Sequence, residues 1–68
     1  VFAYRLRGDS KSKLGDYQGA IDDYTKAIEI YPNKAYLYSY RAESKHKLGD
    51  NEGADEDDRK AEKLKNIF

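Results

Sequence analysis

Slid by 34 residues, the chain lies on itself. Residues 14–28 read LGDYQGAIDDYTKAI and residues 48–62 read LGDNEGADEDDRKAE. Across the 68 residues, roughly two in five positions agree without a gap, from Tyr4/Tyr38 and Arg7/Arg41 to Lys26/Lys60 and Ala27/Ala61. A unit of this length cannot bury an apolar face alone, so neighbouring copies must stack. The chain therefore divides into units 1–34 and 35–68, stacked as one domain.

Each unit reads as two helices. A single Pro, few β-branched residues and much Ala, Leu, Lys and Glu favour helix over strand. Gly15 and Gly49 suit a left-handed position after a first helix. Asp16 and Asp50 follow as N-caps of a second. Pro32 stops the second helix, and Asn33 is placed to cap the third. The expected helices are 2–14, 17–30, 35–48 and 51–66. Ala20, Tyr24, Ala27 and Ile28 fall at helical spacing and form one apolar face, extended by Ile21 and flanked by Ile30 and Tyr31. On the first helix Tyr4 and Leu14 flank Gly8. With seven Tyr and no Trp, Met or Cys, phenol rings must fill much of the core.

These residues resemble the tetratricopeptide repeat, a 34-residue helix–turn–helix unit. Unit one carries Tyr4, Gly8, Ala20, Tyr24, Ala27 and Pro32 in the family's register. Unit two keeps Tyr38, Ala42, Ala54 and Ala61, with Asp58 in place of the aromatic and Asn66 in place of the Pro. The resemblance covers the whole chain. It implies an all-α fold of two stacked helix–turn–helix hairpins, a fragment of an α-solenoid. A related 35-residue RNA-binding helical repeat differs in period, and the balanced charge speaks against it.

Both units depart from the family at the same places. Arg7/Arg41 stand where Leu is usual, and Lys11/Lys45 where an aromatic is usual. Asp23/Asp57 recurs beside the apolar stripe of the second helix. The recurrence predicts Arg7–Asp23 and Arg41–Asp57 pairs within each hairpin, with Asp23 also able to reach the next unit. The alternative is that all four charges are solvated.

No residues assemble into an enzyme. Ser10, Ser12, Thr25, Ser39 and Ser44 lack the His-and-acid company that activates a nucleophile. The Gly-Asp turns do not match a phosphate-binding loop. His46 is the only imidazole, with Glu43 and Asp50 as its acidic neighbours by helical spacing; it reads as an exposed His, not a metal ligand. The run Asp55–Asp58 lies inside a helix and fans around its axis. With Arg59, Lys60, Lys63 and Lys65 behind it, it complements the helix dipole. Neither a metal nor a cofactor is expected.

What remains is surface. In the family the first helix of each unit lines a concave face. Carried onto this chain, the resemblance implies Phe2, Arg5, Asp9 and Ser12, then Tyr36, Ser39, Glu43 and His46 as partner-binding residues. Some members clamp a peptide carboxylate there. Asp9 stands where a clamp amide is expected and Tyr40 offers none, so no clamp is expected here. Lys+Arg and Asp+Glu both total 13, which gives no electrostatic reason to bind nucleic acid. No apolar run is long enough to span a membrane. The resulting expectation is a protein–protein interaction module that binds a protein or peptide. The alternative is a structural end-piece of a longer array, or a self-associating scaffold fragment, without a ligand of its own.

Unit two poses one further problem. Ile21, Tyr24 and Ile28 of unit one become Asp55, Asp58 and Glu62. Burying Asp58 unpaired would cost several kcal/mol, so these three are expected in water, leaving Ala54, Ala61 and Leu64 as the inward seam. Terminal repeats of an array need such a polar outer face. Unit two thus reads as a C-terminal cap of an excised or processed piece, with more repeats before Val1 or self-association in their place.

Overall fold

The computed structural model describes the backbone of residues 2–67 and the side chains of residues 3–66. Four helices follow one another: α1 (Phe2–Lys13), α2 (Tyr17–Ile30), α3 (Ala35–Lys47) and α4 (Asn51–Ile67). There is no strand among the described residues. Each helix packs on the next, which gives two helical hairpins stacked into a slab of 33 × 26 × 15 Å.

The Gly-Asp dipeptides make both tight turns. Gly15 and Gly49 have φ of 85° and 86°, a region closed to most residues with a Cβ. That conformation turns the chain so that two trailing amides reach back to α1. Gly15 N donates to the Ser12 carbonyl at 3.0 Å and Asp16 N to the Lys11 carbonyl at 2.8 Å. Gly49 and Asp50 repeat the pattern on His46 and Lys45 at 3.0 and 2.9 Å. This paired closure satisfies carbonyls that a helix end leaves open. The same Asp then starts the next helix. Asp16 Oδ1 accepts from Gly19 N, and Asp50 Oδ1 from Gly53 N, both at 3.0 Å.

The link between the hairpins differs. Tyr31, before Pro32, has φ −130° and ψ 82°, the extended geometry that a following proline favours. The expected Asn33 cap is not made. Lys34 occupies the cap position of α3 and makes no side-chain cap bond. The link is held instead by Tyr38, whose hydroxyl donates to the Pro32 carbonyl at 3.2 Å.

The core runs through three helices. Ala27 and Ile28 of α2, Leu37 and Tyr38 of α3, and Ala61 and Leu64 of α4 form one buried cluster. Ala20, Tyr24, Ala42 and Ala54 are buried as well. Alanines at these crossings let the helix axes approach, and the rings fill the space beside them. Leu14 is 85% exposed, because it stands in the turn and not on the packed face of α1. Ile30 and Tyr31 are also exposed, past the point where α2 meets its neighbours. Asp55, Asp58 and Glu62 are exposed, and the seam of Ala54, Ala61 and Leu64 is buried, as the substitutions in unit two predict.

Two buried acids lock the hairpins. Arg7 Nε and Nη2 donate to the two carboxylate oxygens of Asp23 at 2.9 and 2.8 Å. Arg41 does the same to Asp57 at 2.8 and 2.7 Å. The solvated alternative is thereby excluded. Each acid also holds a lysine, Lys11 at 3.2 Å from Asp23 and Lys45 at 3.0 Å from Asp57. Both departures from the family pattern thus have one cause: a buried carboxylate needs cationic donors on both oxygens. The pair of hydrogen bonds from Arg7 holds the Asp23 carboxyl below its usual range. Burial pushes the Asp57 carboxyl up, but the bonds from Arg41 and Lys45 outweigh it and hold this group low too. Among the described residues, Asp23 makes no bond to the next unit. That link is made by Arg41, whose Nη1 donates to Thr25 Oγ1 on α2 at 3.1 Å.

Candidate functional site

The expected partner-binding residues lie on α1 and α3, which approach each other across α2. Arg5 bridges the two helices. Its guanidinium carbon is 5.5 Å from the ring centre of Tyr36 and 5.6 Å from that of Tyr40. The two rings meet edge to face at 5.9 Å. Arg5 Nε also lies 3.5 Å from Asp9 Oδ2, one turn along α1. A planar cation between two phenol faces and a carboxylate is a rigid arrangement for an otherwise flexible side chain.

Beside this stack is an open cleft of about 250 Å³, lined by Asp9, Ser12 and Lys13 of α1, Tyr24 of α2, and Tyr40 and Glu43 of α3. Tyr24 forms its floor. Its ring lies 5.8 Å from that of Tyr40, and its hydroxyl donates to Asp9 Oδ1. Burial, and then the hydrogen bond it donates to the Asp9 carboxylate, push the Tyr24 phenol well above its usual range. It is therefore a fixed donor at any physiological pH. Gly8 makes room for this ring, since a Cβ there would fall 2.8 Å from Tyr24 Cε1.

Of the eight residues expected from the sequence, Asp9, Ser12 and Glu43 meet in the cleft, and Arg5 and Tyr36 meet beside it. Ser39 is half-buried on α3. The Phe2 side chain lies outside the described residues. His46 faces α4 and not the cleft: Nδ1 is 3.2 Å from Asn51 Oδ1, and Nε2 is 3.7 Å from Asp58 Oδ2. The carboxylates of Asp55 and Asp58 on α4 are therefore also near it. The ligand atoms of His46, Asp55 and Asp58 lie within 4.8 Å of one another, but all three residues are exposed. One imidazole and two solvated carboxylates are commonplace on a protein surface. Sequence reasoning missed Lys13, Tyr24 and Tyr40. Tyr24 reads as core from its period, and nothing in a single helix reports that its hydroxyl reaches α1.

Comparison with known families bears on these helices directly. A sequence model of the tetratricopeptide repeat matches residues 1–34, and a second model of the same repeat matches residues 23–56. The chain belongs to the tetratricopeptide repeat family. The first match spans the hairpin of α1 and α2. The second runs from Asp23 in α2, through all of α3, to Glu56 in α4. No curated protein matches the chain. Tetratricopeptide repeats are in general protein–protein interaction modules and are typically non-catalytic. No helix among the described residues is long and apolar enough to cross a membrane.

Proposed function

We propose that the chain is a non-catalytic interaction module that binds a peptide segment across the face lined by α1 and α3. The observation that carries this reading is the open cleft of Asp9, Ser12, Lys13, Tyr24, Tyr40 and Glu43 next to the Arg5–Tyr36–Tyr40 stack. Rigid aromatic rings flanked by a few polar groups are what a peptide site requires: large contact area at low entropic cost. Side chains of α1 and α3 line the same cleft, so a partner meets both units at once.

The test is selection of peptides from a random displayed library on the immobilised chain. Affinities of the selected peptides are then measured against surface variants. Tyr36→Ala and Glu43→Ala weaken binding at least about tenfold, and Asp55→Ala and Lys63→Ala on α4 leave it unchanged. Loss of binding with the α4 variants, or failure to select any peptide, contradicts the proposal. A second reading, a structural end-piece whose array binds its ligand elsewhere, is supported by the exposed Asp55, Asp58 and Glu62 on α4. The polar outer face suits a closing repeat, and units 1–34 and 35–68 then act as one stacked domain.

A further inference from the structure

His46 lies in the last turn of α3, and Asp55 and Asp58 stand one turn apart on α4. Along its own helix and turn, His46 has Glu43 and Asp50 as acidic neighbours; the hairpin supplies two more. One ligand atom from each of His46, Asp55 and Asp58 lies within 4.8 Å of the others. The residue types are commonplace, but the imidazole is oriented. Its Nδ1 lies 3.2 Å from Asn51 Oδ1. An amide oxygen accepts and does not donate, so Nδ1 carries the hydrogen. In the neutral ring Nε2 then presents a lone pair, and it lies 3.7 Å from Asp58 Oδ2. Two acceptors meet with no donor between them, an arrangement that a cation makes favourable. Metal-bound histidines are commonly fixed this way, by a hydrogen bond on the far nitrogen. The spacing also suits an ion, since two ligands bound to zinc stand about 3.4 Å apart at the tetrahedral angle.

The two carboxylates also lack a basic partner. Asp23 and Asp57 each hold an Arg and a Lys. Asp58 meets His46 alone among the described residues, and Asp55 makes no ion pair or hydrogen bond to them. Unit one has no counterpart of the trio, because Ser12, Ile21 and Tyr24 occupy the equivalent positions. A polar outer face accounts for acids on α4, but not for an imidazole of α3 set against them.

We propose that His46, Asp55 and Asp58 form a zinc site that ties the end of α3 to the first turns of α4, with water completing a tetrahedral shell. It lies apart from the cleft and does not depend on the peptide reading. One nitrogen and two carboxylate oxygens suit a borderline ion, whereas magnesium and calcium favour oxygen throughout. All three side chains are exposed, so the ion exchanges with solvent and the chain folds without it.

The test is titration of zinc chloride into the 15N-labelled chain, at neutral pH in a non-chelating buffer. The His46 ring protons and the amides of Asp55 and Asp58 shift in a saturable way. His46→Gln and Asp58→Asn each lower the affinity at least about tenfold, and Asn51→Ala, which releases the ring, lowers it about tenfold. Zinc raises the thermal midpoint of the unaltered chain and not that of His46→Gln. Magnesium chloride at the same concentration leaves the His46 ring unshifted. No saturable shift of that ring below about 1 mM zinc overturns the site. So does equal zinc affinity in His46→Gln, or an equal response to magnesium, either of which reduces the trio to a diffuse acidic surface.

Discussion

Asp23 and Asp57 are the acidic residues buried among the described residues. Each is buried at the centre of its hairpin and ringed by an Arg and a Lys. Removing one partner of a buried ion pair strands the other without water, which costs about 3 kcal/mol or more. Arg41 is the better case to test, since its side chain is only 17% exposed against 56% for Arg7. In a double-mutant cycle, Arg41→Leu and Asp57→Leu each destabilise strongly, and the double variant recovers part of the loss. The expected coupling is about 1–3 kcal/mol, read by urea unfolding; additive effects would mean that the pair does not interact. The acids also set a pH dependence. Both carboxyls are held below their unfolded value, so their contribution is complete above about pH 4 and is lost as pH falls through the folded values. The thermal midpoint therefore stays level from neutral pH down to about 5 and declines below about 4. In Asp57→Asn that decline is shallower. An equal slope in both proteins would show that Asp57 does not carry it.

Among the elements, α1 and α2 fit each other through Gly8 and Tyr24. The second hairpin makes the same crossing with different residues: Ala42 stands for Gly8, and exposed Asp58 for buried Tyr24. The methyl group is allowed where the ring is absent. Gly8→Ala is then expected to destabilise. It gains about 1 kcal/mol of helix propensity but drives a Cβ into a ring pinned by Asp9 and Tyr40, and overpacking costs about 1–3 kcal/mol. The net loss is about 1 kcal/mol, checked by chemical denaturation; a more stable variant would contradict the contact. Helices were legible in the sequence because their ends carry strong local chemistry. Gly15-Asp16 and Gly49-Asp50 set α1 to α4 within a residue of expectation. Asn33 misled because its cap role depends on how Pro32 aims the chain, which no local pattern states. The Arg–Asp pairs were legible because they recur at 34 residues, whereas Lys11 and Lys45 were seen only as departures. The cleft was half legible. Asp9, Ser12 and Glu43 follow from the resemblance to the repeat family, but Tyr24 and Tyr40 enter the cleft through the packing of three helices, which is a tertiary quantity.

At the scale of the molecule, the second helices of the two hairpins, α2 and α4, are unlike. The outer face of α4 shows Asp55, Asp58, Arg59 and Glu62 where α2 offers Ile21, Tyr24, Thr25 and Ile28 to α3. Thr25 accepts from Arg41 at the inner interface. Were a second copy to stack head to tail, Arg59 would meet Arg7, and three acids would be stripped of water. Polar outer faces of this kind keep stacked repeats soluble. Restoring the inner pattern reverses this. The variant Asp55→Ile, Asp58→Tyr, Arg59→Thr, Glu62→Ile is expected to associate with rising concentration in sedimentation experiments, under conditions where the unaltered chain shows less association. No difference between them would mean that this face does not control stacking. The proposed partner site lies elsewhere, on the side chains of α1 and α3 that line the cleft. It is tested most directly by mapping amide shifts on the labelled chain as a library-selected peptide is added. Binding in the cleft concentrates the shifts at Arg5, Asp9, Ser12, Tyr36, Tyr40 and Glu43. Shifts concentrated instead at Asp55, Arg59 and Lys63 on α4 would contradict it.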